Sequence, residues 1–292
     1  MSRGIDVSKH QGKIDWEKVR ASKIDFAMLR AGYGKYNEQL DEFFEENYNN
    51  AKKAGVKVGA YHYSYAKSVD DAKKEAETFL KWINGKQFEY PVAFDVEEKS
   101  QSEKGKQFVS DIIRAFCEIV EKAGYYVCVY ANKYWLDNFV DEDCKQKYDI
   151  WLAQWTDKAT YNGSYGIWQY SSQGIVDGIS GRVDLDESYK DYYQIIKSKG
   201  LNGFSAEVSA PAPVPKPVEK SFSPRMMISL SNTPLYVSAT AKSPATRKSG
   251  TYYIYDGIEI NGRYRITSSP SKAQKRPIGE NVTGFVDKTD IR

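Results

Sequence analysis

From position 4 to about 193, short runs of β-branched and aromatic residues alternate with stretches whose apolar positions recur every three to four residues, the pattern of repeated strand–helix units. Strands are predicted over 5–8, 26–33, 56–65, 92–97, 126–132, 150–155, 166–170 and, more briefly, 183–185. Amphipathic helices are predicted over 41–54, 70–83 and 103–123, each running out near Gly55, Gly85 or Gly124, as helices often end. Eight strands in this alternation suggest a barrel. A full (β/α)8 barrel takes about 250 residues, whereas about 200 are present here, and the connections between Trp155 and Val183 are too short or too rich in Gly and Ser for full helices. The expected fold class is therefore α/β: an abbreviated, flattened (β/α)8-type barrel over 1–202, open where its late helices are missing.

Downstream the pattern changes. Residues 203–221 alternate proline with small and charged residues, which favours an extended spacer over packing. Beyond this linker, 222–292 shows short alternating runs: Pro234-Leu235-Tyr236-Val237, Gly250-Thr251-Tyr252-Tyr253-Ile254-Tyr255, Arg263-Tyr264-Arg265-Ile266-Thr267 and Gly284-Phe285-Val286. The pairs Asp256-Gly257 and Asn261-Gly262 read as hairpin turns. The prediction for this segment is a small all-β barrel.

Composition narrows the function by exclusion. With 42 basic and 39 acidic residues the net charge is +3, so no overall basic field recruits nucleic acid. No stretch approaches the roughly 20 apolar residues of a membrane span, and no membrane insertion is expected. Met1-Ser2-Arg3 leads straight into the first strand, so no signal peptide is expected. Three cysteines, Cys117, Cys128 and Cys144, lack metal-type spacing and read as thiols of a reducing compartment. Only His10 and His62 are available as imidazoles, too few for the usual zinc hydrolases, and His62 is expected to serve as a structural hydrogen-bonder. The 23 tyrosines, with 6 Trp and 12 Phe, are abundant, and flat rings with a polar edge suit sugar faces as well as they suit cores.

The chemistry concentrates in Phe94-Asp95-Val96-Glu97-Glu98, which follows the apolar Tyr90-Pro91-Val92-Ala93. Strand alternation points Asp95 and Glu97 the same way, with Cα atoms roughly 6.6 Å apart. Crowded carboxylates repel, so one keeps its proton to higher pH, the raw material of an acid and an anion working together in glycoside hydrolysis. In a parallel barrel functional groups gather at the carboxyl ends of the strands, and Asp6, Asp95, Glu97 and Asp184 are all expected there. Strands one and eight are neighbours on closure, so Asp6 and Asp184 would face the Asp95/Glu97 pair. Two other readings exist: a solvated acidic turn, with Asp6 and Asp184 as turn or capping residues, and a divalent-cation site. The second lacks clustered His ligands and a Gly-rich phosphate loop.

Seven segments in order resemble the glycoside hydrolase family 25 lysozymes: Gly4-Ile5-Asp6-Val7-Ser8 with His10-Gln11-Gly12, Leu29-Arg30-Ala31-Gly32-Tyr33-Gly34, Gly59-Ala60-Tyr61-His62-Tyr63, Phe94-Asp95-Val96-Glu97, Trp151-Leu152-Ala153-Gln154-Trp155, Trp168-Gln169-Tyr170-Ser171 and Val183-Asp184-Leu185. The resemblance implies cleavage of the β-1,4 bond between N-acetylmuramic acid and N-acetylglucosamine in peptidoglycan, with no cofactor or metal. It implies Glu97 as general acid, Asp95 as its partner at the anomeric centre, and Asp6 and Asp184 as supporting carboxylates. Tyr61 and Tyr63 share one face of the third strand and Tyr130 and Asn132 one face of the fifth; with Arg30, Tyr33, Trp151, Gln154 and Trp168 they are the candidate substrate contacts. The tail resembles the bacterial Src-homology-3-like domains of cell-wall hydrolases, with Tyr252, Tyr253, Tyr255 and Tyr264 as candidate ligand contacts. Together these imply a phage endolysin, held in the host cytoplasm until lysis and then acting on the bacterial wall; a bacterial or prophage autolysin would read nearly identically. A chitinase-type glycosidase and a wall-binding protein without activity are the alternatives. The pair Met226-Met227 is either chance or an internal translation start, which would yield free tail domains and an oligomer through the C-terminal domain.

Overall fold

The structure is a computed structural model that describes residues 1–205 and 222–291. All of the expected linker beyond its first three residues lies outside the described residues. The chain divides into two compact units. The first contains β1 (Ser2–Val7), α1 (Trp16–Ala21), β2 (Phe26–Tyr33), α2 (Phe44–Lys53), β3 (Lys57–Tyr63), α3 (Val69–Ile83), β4 (Val92–Asp95), α4 (Lys99–Ser102) and α5 (Lys106–Lys122). It continues through β5 (Val127–Asn132), α6 (Lys133–Asn138), α7 (Glu142–Lys147), β6 (Asp149–Ala153), β7 (Ile167–Gly174), β8 (Val183–Ser188) and α8 (Tyr192–Lys199).

Strands β1 to β8 close into a barrel in sequence order. The long helices α2, α3 and α5 cover the early strands, and no helix separates β6, β7 and β8, so the helix-poor side falls where the short connections placed it. The eighth strand differs from expectation: β8 runs antiparallel to both β7 and β1. Residues 175–182 are too few for a crossover, and a short connection permits only an antiparallel return. Asp184 therefore reaches the rim from the amino end of β8, directly opposite Asp6 at the end of β1.

Helix boundaries have local causes. Ser68 caps α3 by accepting from the Asp71 N–H, and Asp70 and Asp71 place negative charge in its first turn. The third predicted helix, 103–123, is α5 with a later start: a separate one-turn α4 precedes it, and Gly105, at φ 86°, is the residue from which α5 begins. Inward positions Val109, Ile112, Ile113, Phe116 and Val120 of α5 are buried at helical spacing.

Alternation sorts each strand into an outer and an inner set. Outward residues such as Leu29, Val58 and Phe94 build the layer under the helices, where Phe94 stacks on Phe116 at 4.0 Å. His62 shares this parity and sits fully buried among Phe79, Trp82, Phe94 and Phe116. Among the described residues neither of its ring nitrogens has a hydrogen-bond partner, contrary to the expected role; Nε2 approaches Glu75 Oε2 at 3.6 Å. Inward residues fill the barrel. Phe26 stacks on Tyr90 at 4.1 Å in the lower interior, and Gly4 is required beside them, because a Cβ there would lie 2.2 Å from the Phe26 ring. Tyr61, Tyr130 and Trp151 form the next layer above. Gly203 and Phe204 stay with this unit, tied by the Gln87 amide to the Gly203 carbonyl at 2.9 Å and by Phe204 against Tyr193.

The second unit is all-β: β9 (Met227–Leu235), β10 (Thr246–Ile260), β11 (Arg263–Thr267) and β12 (Gly284–Asp287), with a short α9 (Ile278–Asn281). The four strands form an antiparallel sheet in the order β12-β11-β10-β9, and a lone bridge between Tyr236 and Phe285 brings the end of β9 to β12. Asn261 and Gly262, at φ 52° and 78°, make the predicted tight hairpin. Asp256-Gly257 does not: it lies within β10 at a break in register, where Gly257 at φ 72° forms a bulge in a continuous strand. Tyr255 and Tyr264 are core residues, 2% and 4% exposed, so their rings are not ligand contacts; Tyr252 and Tyr253 remain half-buried.

Candidate active site

The inward residues at the upper rim enclose a cavity of about 420 Å³. Asp6, Asp95, Glu97 and Asp184 all line it, as do Arg30, Tyr61, Tyr63, Tyr130 and Trp151. Strand β4 ends at Asp95, yet the Val96 N–H still pairs with the Tyr130 carbonyl at 3.1 Å. This keeps Val96 in the outer layer and turns Glu97 onto the cavity side. Tyr63 and Tyr130 flank Asp95 in register on β3 and β5.

The acids differ in environment. Asp95 is 4% exposed, and its buried Oδ1 receives no hydrogen bond among the described residues. Burial, and then the charge of Glu97, push its carboxyl well above the usual range, with Arg30 acting in the opposite direction. Glu97 stands open to solvent at the cavity wall; partial withdrawal from water, then the charges of Asp184 and Glu98, raise it as well. Asp184 is raised by burial. Asp6 is held well above the carboxylate range by burial, then by Asp186 and Asp184, against one favourable contact, the Gln169 Nε2 amide donating to Oδ2 at 2.8 Å. Carboxyls this crowded and this poor in cations carry fewer charges than their number at neutral pH. Among the described residues no three His, Cys, Asp or Glu side chains come together in a metal-ligand arrangement.

The rings divide between packing and display. Trp151, 1% exposed, packs edge-on against Tyr61 and Tyr130 and forms the cavity floor. Tyr63 is half-buried, with its hydroxyl 3.4 Å from Glu98 Oε2. The Arg30 Nε donates to Asp41 Oδ2 at 2.8 Å, which fixes the guanidinium at the rim. Four candidates lie outside the cavity lining. Tyr33 packs edge-on against Tyr65. Asn132 caps α6, its Oδ1 accepting from the Trp135 N–H at 3.0 Å. Gln154 is engaged by Thr160 through both ends of its amide. Trp168 donates to the Gln154 carbonyl and faces a wider surface groove that adjoins the cavity at Trp155 and Ser172 and is also lined by Tyr170.

Residues 5–179 match the family model described as glycosyl hydrolases family 25. The chain belongs to that family. The matched stretch holds Asp6, Asp95 and Glu97 and ends five residues before Asp184. The chain is similar to the autolytic lysozyme of Clostridium acetobutylicum, at 33% identity over 187 residues, which cover 63% of this chain and 55% of that protein. It therefore spans about half of that relative's length. Among solved structures it is similar to the CTP1L endolysin, whose activity is regulated by a secondary translation product, at 27% identity and a TM-score of 0.60 over 68% of this chain and 70% of that one. It is also similar to the modular autolysin LytC of Streptococcus pneumoniae in complex with a synthetic peptidoglycan ligand, at 27% identity and a TM-score of 0.57 over 63% and 46% of the two chains.

Within this family fold Gln169 and Trp155 also line the cavity, and Asp186 lies under it. Gln169, 3% exposed, is a hub: its Oε1 accepts from the Tyr130 hydroxyl at 3.0 Å and from Trp155 Nε1 at 2.9 Å while its Nε2 serves Asp6. Trp155 is thereby held with 60% of its surface exposed at the cavity edge. Asp186 lies beneath Asp6 and Asp184, wholly buried, accepting from Trp151 Nε1 at 2.7 Å. It could have been found by period-two reading, because Asp184-Leu185-Asp186 repeats the spacing of Asp95-Val96-Glu97.

Proposed function

We propose that this chain is a peptidoglycan hydrolase of the 1,4-β-N-acetylmuramidase type, cutting between N-acetylmuramic acid and N-acetylglucosamine, and that it serves as a phage endolysin. The observation that carries the reading is the contrast within one cavity between solvent-open Glu97 and sealed Asp95. Glu97, raised by its surroundings, holds a proton where a glycosidic oxygen can reach it, and donates that proton as the C–O bond breaks. With Glu97 holding the proton, its charge no longer raises Asp95, and the charged form of Asp95, which Arg30 favours against burial, opposes the positive charge that grows at the anomeric carbon. The Glu97 carboxylate left behind then takes a proton from the incoming water. Asp6 and Asp184 border the same space and shape its field, and Tyr63 and the exposed face of Trp155 offer flat surfaces for sugar rings.

The C-terminal unit is proposed as a Src-homology-3-like wall-binding module, supported by its antiparallel topology, tight hairpin and half-buried Tyr252 and Tyr253. Holding two modules on one polymer raises the local substrate concentration at the barrel. Similarity to an endolysin supports phage origin, host-cytoplasmic storage and later action on the wall. That relative's regulation by a secondary translation product supports reading Met226-Met227 as an internal start; free tail domains that assemble with the full chain are proposed on that reading.

The test is turbidity loss of purified Gram-positive walls. Glu97→Gln should reduce the lysis rate by about 10² to 10⁴-fold, the usual contribution of a positioned acid, while the variant still co-sediments with the walls. A Glu97→Gln protein that lyses at the parental rate would remove Glu97 as the acid.

A further inference from the structure

Charge is divided unevenly along the chain. Residues 1–202 hold 29 basic and 32 acidic side chains, whereas residues 222–292 hold 11 basic and 5 acidic, so the smaller unit carries a formal charge of +6 against −3 for the barrel. Ion pairing leaves this excess in place. Three of the five acids are already matched, Asp287 by Arg263, Glu259 by Lys288 and Asp256 by Arg265, which leaves only Glu280 and Asp290 outside these pairs. Arg225, Lys272, Lys275 and Arg276 are exposed and make no ion pair among the described residues. The same holds for Lys242, Arg247 and Lys248 in and beside the β9–β10 hairpin. Unmatched like charges repel within a compact unit, and a bound polyanion relieves that repulsion.

Backbone anchoring gathers four of these cations around one stretch of β10. The Arg225 N–H donates to the Ile254 carbonyl at 2.8 Å, on the β9 side of the strand. The next carbonyl, that of Tyr255, points to the other side and accepts from the Gln274 N–H at 3.1 Å. The Tyr255 hydroxyl donates to the Lys275 carbonyl, and Ala273, 3% exposed, seals the segment against the unit. A turn over Pro270–Lys272, capped by the Ser269 hydroxyl, leads into it. The backbone of 269–275 is therefore fixed while Lys272, Lys275 and Arg276 are exposed. The backbone at Arg225 lies two strand spacings from that at Gln274, about 10 Å. Asp256, the acid next to this stretch in sequence, is held by Arg265. Lysine serves as a point-charge binder of phosphate. Single-stranded nucleic acid would call for rings on which bases stack, and 269–277 contains none. A membrane surface would call for an amphipathic helix, and α9, at four residues, is too short to offer an apolar face.

We propose that the C-terminal unit docks on the anionic phosphodiester polymers that accompany glycan in Gram-positive walls, with Lys272, Lys275 and Arg276 as phosphate contacts and Arg225 beside them. This names the ligand class of the tail and rests on its reading as a wall-binding module; it does not depend on which bond the barrel cuts. The acidic barrel contributes no attraction of its own to such a polymer, so the chain approaches it tail first.

The experiment titrates the full chain with a soluble glycerol-phosphate polymer by calorimetry. Affinity should fall about 10- to 50-fold between about 50 and 200 mM NaCl, as for about four phosphates neutralised on a single-stranded polyanion. The triple variant Lys272→Ala, Lys275→Ala, Arg276→Ala should bind about 10²-fold more weakly at about 0.1 M salt, with a log–log salt slope shallower by about 2. Lys272→Arg with Lys275→Arg, which keeps both charges, should bind like the parent. So should Lys13→Ala, Lys81→Ala, Lys122→Ala, which removes three exposed cations from the barrel and leaves the tail intact. Walls stripped of phosphodiesters by hydrofluoric acid should no longer sediment the parent, whereas untreated walls should. Equal weakening by the tail and barrel triples, or tighter binding of single-stranded DNA or anionic vesicles than of the polymer at equal phosphate concentration, would overturn the proposal. Equal sedimentation with stripped and untreated walls would overturn it and leave the wall-binding reading standing; no sedimentation with untreated walls would remove both.

Discussion

Replacing Gln169 by Leu removes a side chain that fixes three others at once. The Tyr130 hydroxyl, on a residue 8% exposed, loses its acceptor, and an unsatisfied buried donor costs about 1–3 kcal/mol. Asp6 loses a charge-assisted hydrogen bond worth about 1.5–3 kcal/mol, part of which is regained if it takes a proton. Trp155, 60% exposed, can turn its N–H to water and contributes little. Added apolar burial by leucine offsets about 1 kcal/mol. The expected net loss is about 2–4 kcal/mol. All six tryptophans, from Trp16 to Trp168, lie in the barrel unit, so their fluorescence in a urea titration reports its unfolding alone. Lysis should fall with the stability measured well below the transition, because Asp6 is no longer oriented. A Gln169→Leu barrel within about 0.5 kcal/mol of the parent, the scatter of neutral surface changes, would refute the hub argument.

Asn132→Ala should lower barrel stability by about 1 kcal/mol through loss of the α6 cap while leaving the Michaelis constant on walls unchanged; a raised constant at unchanged stability would restore Asn132 as a substrate contact. Asp6, Asp95 and Asp186 bind their protons more tightly in the folded barrel than in the unfolded chain, so the folded state holds more protons between about pH 4 and 8 and stability should fall as pH rises through that window. The lowered acids Asp15, Asp71 and Asp141 act only below it. A urea midpoint that is higher at pH 8 than at pH 5, at constant ionic strength, would contradict this. A tail product that starts at Met226 would lack Phe222, which is 7% exposed and packs edge-on against Tyr264 at 5.0 Å. Such a product should unfold at lower temperature than a fragment beginning before Phe222, and intact mass analysis of expressed protein showing a single species would remove the internal start.

Much of the barrel was legible because period-two alternation is a direct record of which side chains face the lumen. β2 matches its predicted bounds, and the acids of β1 and β4 appear where parity placed them. The direction of β8 was not legible from parity, which is the same for either direction; the shortness of 175–182 was the available signal. Asn132 and Gln154 show why site membership is harder to read than face. Both are polar and near the rim, but each is engaged by its own neighbourhood, a helix cap and a loop closed by Thr160. In the tail, Asp256-Gly257 has the same dipeptide chemistry as a hairpin turn, and only cross-strand pairing distinguishes a bulge from a reversal. Gln169 and Asp186 matter through contacts with residues more than 30 positions away, Tyr130 and Trp151 among them, which local pattern does not reveal.

Mass spectrometry of purified peptidoglycan digested by the parent chain and by Glu97→Gln tests the central claim most directly. The account predicts new reducing ends on N-acetylmuramic acid with the parent and none with Glu97→Gln. New reducing ends on N-acetylglucosamine, release from chitin oligomers with peptidoglycan left intact, or the same products from both proteins would contradict it.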